Sequence, residues 1–199
     1  MNPEDRYDVS GLTEVQFEPG LDGRVLKNLL GIKSSEEMDV AEVSALVGTV
    51  DSLVRLYDEA HCFTANDVRE FHRLWLGDIY AWAGEYRQVN VRKGDFMFAA
   101  AARVPALMVE FGRDVLSRYT PCNSAVREEV VRALAETHVE LVLIHPFREG
   151  NGRVARVLST LMALQAGLPL LDFSLIAGEG KESYFAAVRA GMDLDYRPM

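Results

Sequence analysis

From Glu36 to about Tyr57 apolar residues return at Val40, Val43, Leu46, Val47, Val50, Leu53, Val54 and Tyr57, the three-and-four spacing that lays a stripe along one side of an α-helix. Thr64, with Asp67 three residues on, has the form of an N-cap, and Val68, Phe71, Trp75 and Ile79 predict one apolar face of a second helix. The rhythm changes between Tyr86 and Phe98. There Val89 and Val91 alternate with polar neighbours, Lys93-Gly94-Asp95 supplies a turn, and Phe96 and Phe98 alternate again, which predicts a short β-hairpin. Helical spacing returns over about 104–119, over 124–144 through Val126, Val130, Leu134, Leu141 and Val142, and over 151–166 before Gly167 and Pro169 end it. A last helix is expected from Gly180 or Lys181 to Gly191. Residues 1–30, punctuated by Pro3, Gly11, Pro19, Gly20 and Gly23, read as an irregular arm rather than core. The expectation is an all-α bundle with one hairpin, built as a single domain over residues 31–199.

Composition narrows the function. Of 199 residues, 49% are apolar and 26% charged, a soluble globular mixture. The net charge of −9 argues against a broad electrostatic footprint for nucleic acid or an anionic membrane, so any phosphate must be gripped locally. The opening residues lack the basic and apolar regions of a secretory signal, and no apolar run reaches membrane-spanning length, so a cytoplasmic address is expected. Cys62 and Cys122, sixty residues apart, suggest neither a disulfide framework nor a zinc site.

The chemistry concentrates in residues 143–156, between two expected helices. Pro146 turns His145 out of the α region, so the first helix should end there and offer an imidazole at its edge. Gly150, Asn151 and Gly152 then open the next helix, a turn able to direct unpaired backbone N–H groups at one anion. Arg153 and Arg156, three apart in the first turn, put two guanidinium groups on the same side. Glu149 would repel a phosphate there unless a cation, Mg²⁺ by its chemistry, bridges them. Singly, these residues have ordinary readings: a polar helix end, a dipole partner, a solvated basic face. Together in fourteen residues they form base, metal ligand, glycine turn and paired cations in an order that serves one reaction.

This passage, His145-Pro146-Phe147-Arg148-Glu149-Gly150-Asn151-Gly152-Arg153-Val154-Ala155-Arg156, resembles the Fic-domain signature HxFx[D/E]GNGRxxR at every defined position. Residues 78–87 resemble the family's helix end ahead of its flap, and residues 90–98 the flap hairpin; with residues 19–22 and 28–32 the likeness covers most of the chain from about residue 18. The resemblance implies a protein adenylyltransferase moving AMP from ATP to a Ser, Thr or Tyr hydroxyl of a target protein. On these positions it implies His145 as base and Glu149 as Mg²⁺ ligand. Gly150, Asn151 and Gly152 would form the anion hole, Arg153 would sit on the phosphates and Arg156 on the γ-phosphate. The flap Arg92, Lys93, Gly94, Asp95, Phe96, Met97 and Phe98 would dock the target by strand-like pairing.

Many Fic proteins carry an inhibitory helix with the pattern [S/T]xxxE[G/N]. Here Glu precedes Gly or Asn only at Glu149 and Glu179, and His145 and Leu175 stand four residues before them. A separate small antitoxin-like partner whose glutamate reaches Arg156 is therefore expected, a regulator beyond Met199 being the alternative. Two rival readings remain: a related phosphotransferase, which Gly152 and Arg156 oppose, and a catalytically silent binding module. Residues 178–183 have a superficial likeness to a Walker phosphate loop, but Leu175 and Glu182 stand where Gly and Ser or Thr belong.

Overall fold

The computed structural model of the protein describes residues 11–19 and 25–199. Pro3, Gly20 and Gly23 of the expected arm, and residues 20–22 of the family likeness, lie outside them. The helices are α1 (Ser35–Leu56), α2 (Ala65–Leu76), α3 (Val104–Glu110), α4 (Ser117–Tyr119), α5 (Arg127–Ile144), α6 (Asn151–Gln165), α7 (Ser174–Ala177) and α8 (Lys181–Ala190). Two-residue strands β1 (Arg92–Lys93) and β2 (Phe96–Met97) pair antiparallel, Arg92 opposite Met97 and Lys93 opposite Phe96. The all-α bundle with one hairpin is what the spacing predicts.

Helices α5 and α6 pack along each other, α2 and α1 lie against α6, and α8 crosses α5. The core runs between them through Leu53, Val68, Phe71, Leu76, Met108, Leu141, Phe147, Leu158 and Met162. Helix α2 starts as its sequence specifies: Thr64 Oγ1 accepts from the Asp67 N–H at 3.2 Å, and Asp67 Oδ2 accepts from the Thr64 N–H at 2.8 Å. Val68, Phe71 and Trp75 are buried along one face, with Ile79 buried in the turn beyond.

Four expectations need correction. The apolar row of α1 only half faces the core: Leu53 is buried and Leu46, Val50 and Tyr57 pack against it, but Val40, Val43, Val47 and Val54 are exposed, while Met38, Glu42 and Thr49 are buried beside Leu53. Both rows satisfy a 3.6-residue period, and the inward one contains a carboxylate that apolar counting skips. Residues 104–119 are not one regular helix, because Phe111–Leu116 widens into a π-helical segment between α3 and α4. The hairpin is shorter than the alternation suggests, since Val89 and Val91 precede β1 rather than joining it. Residues 11–19 and 25–30 are irregular, as expected, but not set apart from the core. Phe17 bridges Leu26, Val25 is buried, and buried Glu14 accepts the Gln88 N–H at 2.7 Å, which ties residues 13–15 to the body. Cys62 and Cys122 are free thiols, and among the described residues no helix is long and apolar enough to cross a membrane.

Candidate active site

Helix α5 stops at Ile144, and His145 takes φ 52° and ψ 60°, left-handed angles that few residues other than glycine adopt. Pro146 closes the right-handed alternative. Arg87, 2% exposed, fixes the bend from below. Its guanidinium donates to the carbonyls of His145 at 2.7 Å, Ile144 at 3.3 Å and Val89 at 2.8 Å, and to Ala99, while its own N–H meets Pro146 O at 2.9 Å. One buried cation thus joins the end of α5 to both feet of the hairpin.

The protonation of His145 follows from its neighbours. Its Nδ1 lies 3.1 Å from the Val142 carbonyl, which can only accept, so Nδ1 carries the hydrogen and Nε2 keeps a lone pair. Phe98 stacks on the ring with centroids 3.6 Å apart. Burial, with Arg87 and Lys93 adding to it, outweighs the Val142 bond and lowers the imidazole from 6.5 to about 4. At neutral pH this histidine is an unprotonated base.

The turn after it is built from inside. Phe147 is buried and stacks on His72 at 3.9 Å. Asn151 closes the loop with its side chain, accepting from Phe147 N–H and donating to Phe147 O, both at 2.8 Å. His72 accepts the Gly84 N–H at Nδ1 (2.8 Å), so its Nε2–H donates to Glu149 O at 3.1 Å. Of the expected glycine turn only Gly150 uses glycine's backbone freedom, at φ 82°, and a Cβ there would lie 2.6 Å from the Trp75 ring. Gly152 is helical with open space before it, and the Asn151 side chain is committed to the loop. What these residues can offer an anion is main chain: the first bond of α6 runs from Val154 N–H to Gly150 O, leaving the N–H groups of 151–153 without intrahelical partners.

A cavity of about 860 Å³ opens over this turn, within the range of small-molecule sites. Among the described residues Arg92, Lys93, Arg148, Arg153, Arg156, Lys181 and Arg189 line it against a single carboxylate, Glu149, in a chain of net charge −9. His145, Gly150, Asn151 and Gly152 line it too, so the sequence-nominated residues come together. Of the flap, Arg92, Lys93, Phe96 and Phe98 reach the cavity, while Gly94, Asp95 and Met97 stand outside its wall. Burial lowers the Arg156 pKa, and that guanidinium lies 5.9 Å over the Phe173 ring. The opposite wall, with Ile176, Tyr184, Phe185 and Val188, is one that sequence reading missed, although apolar residues in the last helix were its signal. Arg87 and His72 were also missed, since a buried side chain that binds main-chain carbonyls leaves no periodic trace.

The sequence model of the Fic/DOC family matches residues 62–163. The chain belongs to the Fic/DOC family. It is 31% identical over 158 residues to the probable protein adenylyltransferase Fic of Salmonella typhimurium, covering 76% of this chain and 73% of that one. It is 31% identical over 144 residues to the protein adenylyltransferase fic-1 of Caenorhabditis briggsae, over 72% of this chain but 27% of that longer protein. The Fic fold recurs in BepC of Bartonella tribocorum, with a TM-score of 0.70 at 21% identity over 92% of this chain and 90% of that one. The chain spans about a quarter to a third of the first curated relatives' length. Within this Fic domain the matched segment contains α2, the flap, α5 and nearly all of α6, the elements that carry the cavity's base and turn.

Proposed function

We propose that the protein is an adenylyltransferase that moves AMP from ATP to a hydroxyl side chain of another protein and releases pyrophosphate. The observation that carries this reading is the neutral, hydrogen-bond-oriented His145 at the rim of a cationic cavity floored by the Gly150 turn. Relatives named as protein adenylyltransferases, and a fold relative with bound AMPPNP, support the choice of nucleotide.

In this mechanism His145 Nε2 takes the proton from the target hydroxyl while the oxygen attacks the α-phosphorus and the bond to pyrophosphate breaks. A positioned base of this kind contributes about 10²- to 10⁴-fold. The N–H groups of residues 151–153 and the Arg153 and Arg156 guanidinium groups bind the phosphates and hold them in line. Tyr184, Phe185, Val188 and Ile176 offer the more apolar wall for the nucleoside. Glu149, half-exposed at the cavity, would hold a magnesium ion there, as magnesium is commonly held by one or two carboxylates together with substrate phosphates. Bound there, the ion would offset phosphate charge.

Arg92 to Phe98 would receive an extended target segment along the hairpin edge. Residues 31–199 would act as one catalytic domain in the cytoplasm, with residues 11–19 keyed into it. Restraint would come from a separate small antitoxin whose glutamate reaches Arg156. Arg156 lines the cavity, where such a glutamate would meet it.

Incubation of host lysate with ATP labelled at the α- or γ-phosphate tests the reaction. The α-label is expected on protein and the γ-label is not; His145→Ala should lose at least about 10²-fold in transfer while binding ATP normally. Transfer of the γ-label would make the protein a phosphotransferase, and undiminished transfer by His145→Ala would remove the base from the mechanism.

A further inference from the structure

Arg153 is gripped by two carboxylates that differ in kind. Glu149, in the signature, is 48% exposed and stands 3.4 Å from Nη2. Glu42, from the buried face of α1 and outside any motif, is 5% exposed and stands 2.6 Å from Nη1. Its other oxygen accepts the Tyr80 hydroxyl at 2.8 Å, and its backbone carbonyl accepts the Trp75 indole N–H, also at 2.8 Å. The same indole lies under the Arg153 guanidinium, 4.6 Å from ring centre to carbon. Glu42, Tyr80 and Trp75 therefore form one rigid bracket around a side chain that would otherwise be free to rotate.

We infer that Glu42 is a positioning residue that aims Arg153 at the phosphates of the bound nucleotide, an inference that rests on the adenylyltransferase reading of the same cavity. The alternative, a carboxylate that masks the arginine and competes with phosphate, is disfavoured by place. Glu42 does not line the cavity, whereas Arg153 and Glu149 do, so Glu42 holds the guanidinium from behind and leaves its cavity side to the ligand. A guanidinium has five donors in a fixed fork, and this one commits one to each carboxylate, so donors remain for phosphate oxygens. An arginine held in advance loses less freedom on binding, which is where the affinity comes from.

The test compares binding of ATP, ADP and adenosine, each with magnesium, to the full chain and to Glu42→Gln, Glu42→Asp and Tyr80→Phe by calorimetry. Glu42→Gln keeps the shape and removes the charge. It is expected to weaken ATP and ADP about tenfold, the scale of one charge-assisted hydrogen bond, and to leave adenosine unchanged. Glu42→Asp should recover part of the loss, and Tyr80→Phe should show the same phosphate-selective pattern more weakly. Tighter ATP binding by Glu42→Gln would make Glu42 a mask. Equal weakening of ATP and adenosine would make it merely structural, and unchanged ATP binding would leave Arg153 with no need of it; each overturns the inference. Should Glu42→Gln fail to fold, Tyr80→Phe decides alone. Because the readout is binding, loss of AMP transfer with ATP still bound would count against the adenylyltransferase reading and not against this one.

Discussion

Gly150 and Gly152, two residues apart in the signature, do different work. At Gly150 the left-handed φ of 82° already strains any side chain, and a Cβ would press 2.6 Å from the Trp75 ring that supports Arg153. Gly150→Ala should therefore lower the unfolding free energy by about 2–4 kcal/mol, combining backbone strain with overpacking, and should weaken ATP binding as the indole shifts. Gly152 sits in helical geometry with nothing within 4 Å of its missing Cβ. Gly152→Ala should leave stability unchanged or raise it by about 0.5–1 kcal/mol, yet still weaken ATP because the methyl enters the space a phosphate would use. Urea unfolding and ATP titration on both variants separate the two roles. Equal destabilisation would show that Gly152 is also held by packing, contrary to the open space before it.

At the scale of elements, one buried residue ties the flap to the end of α5. Arg87 ties the carbonyls of Val89 and Ala99, at the two feet of the hairpin, to those of Ile144 and His145 at the end of α5. Removing it leaves several buried acceptors unpaired, so Arg87→Ala should cost on the order of 3 kcal/mol or more, measured by urea unfolding, and should release the hairpin to limited proteolysis. A variant of wild-type stability with a protease-resistant flap would show that strand pairing alone holds the hairpin. The sequence made the elements themselves legible where local chemistry fixes them: the Thr64–Asp67 capping box, the Pro146 stop after α5, the Gly94 turn. It made the signature residues legible because His145, Glu149, Gly150, Arg153 and Arg156 lie within one turn and its helix. Glu42 on the inward face of α1 was not legible, because it owes its burial to Arg153, Tyr80 and Trp75, partners from 33 to 111 residues away. Arg87, His72 and Glu14 escaped for the same reason: each satisfies main-chain groups brought close only by the fold.

Over the whole molecule, an acidic chain concentrates cations at one cavity and buries three imidazoles uncharged. Burial lowers His72, His138 and His145 from 6.5 to about 4. His138 is locked between Ser159 at 3.1 Å and Tyr184 at 2.9 Å. Ser159 spends its proton on Ala155 O, so His138 Nδ1–H donates to Ser159 and Nε2 accepts the Tyr184 hydroxyl. As pH falls below 6.5 the unfolded chain takes up protons on these groups that the folded chain refuses, so folding stability must decline toward pH 4. Each such proton contributes up to about 1.4 kcal/mol per pH unit. Glu140 acts in the opposite sense, since burial raises its pKa and the folded state gains a proton first, but it is one group against three. Asp67, lowered chiefly by its bonds to Thr64 against the cost of burial, adds to the decline only further into acid. The urea midpoint should accordingly hold steady from pH 8 to pH 7 and fall steeply between pH 6 and pH 4.5. His138→Gln, which removes one titrating group from the set, should reduce that slope by about a third if each histidine contributes equally. Urea also keeps the chain in solution near its pI of about 5.0, where net charge no longer does. A midpoint that stayed level from pH 7 to pH 4.5 would mean that water or local opening reaches these imidazoles, His145 among them, and would remove the basis for treating it as a dry, uncharged base.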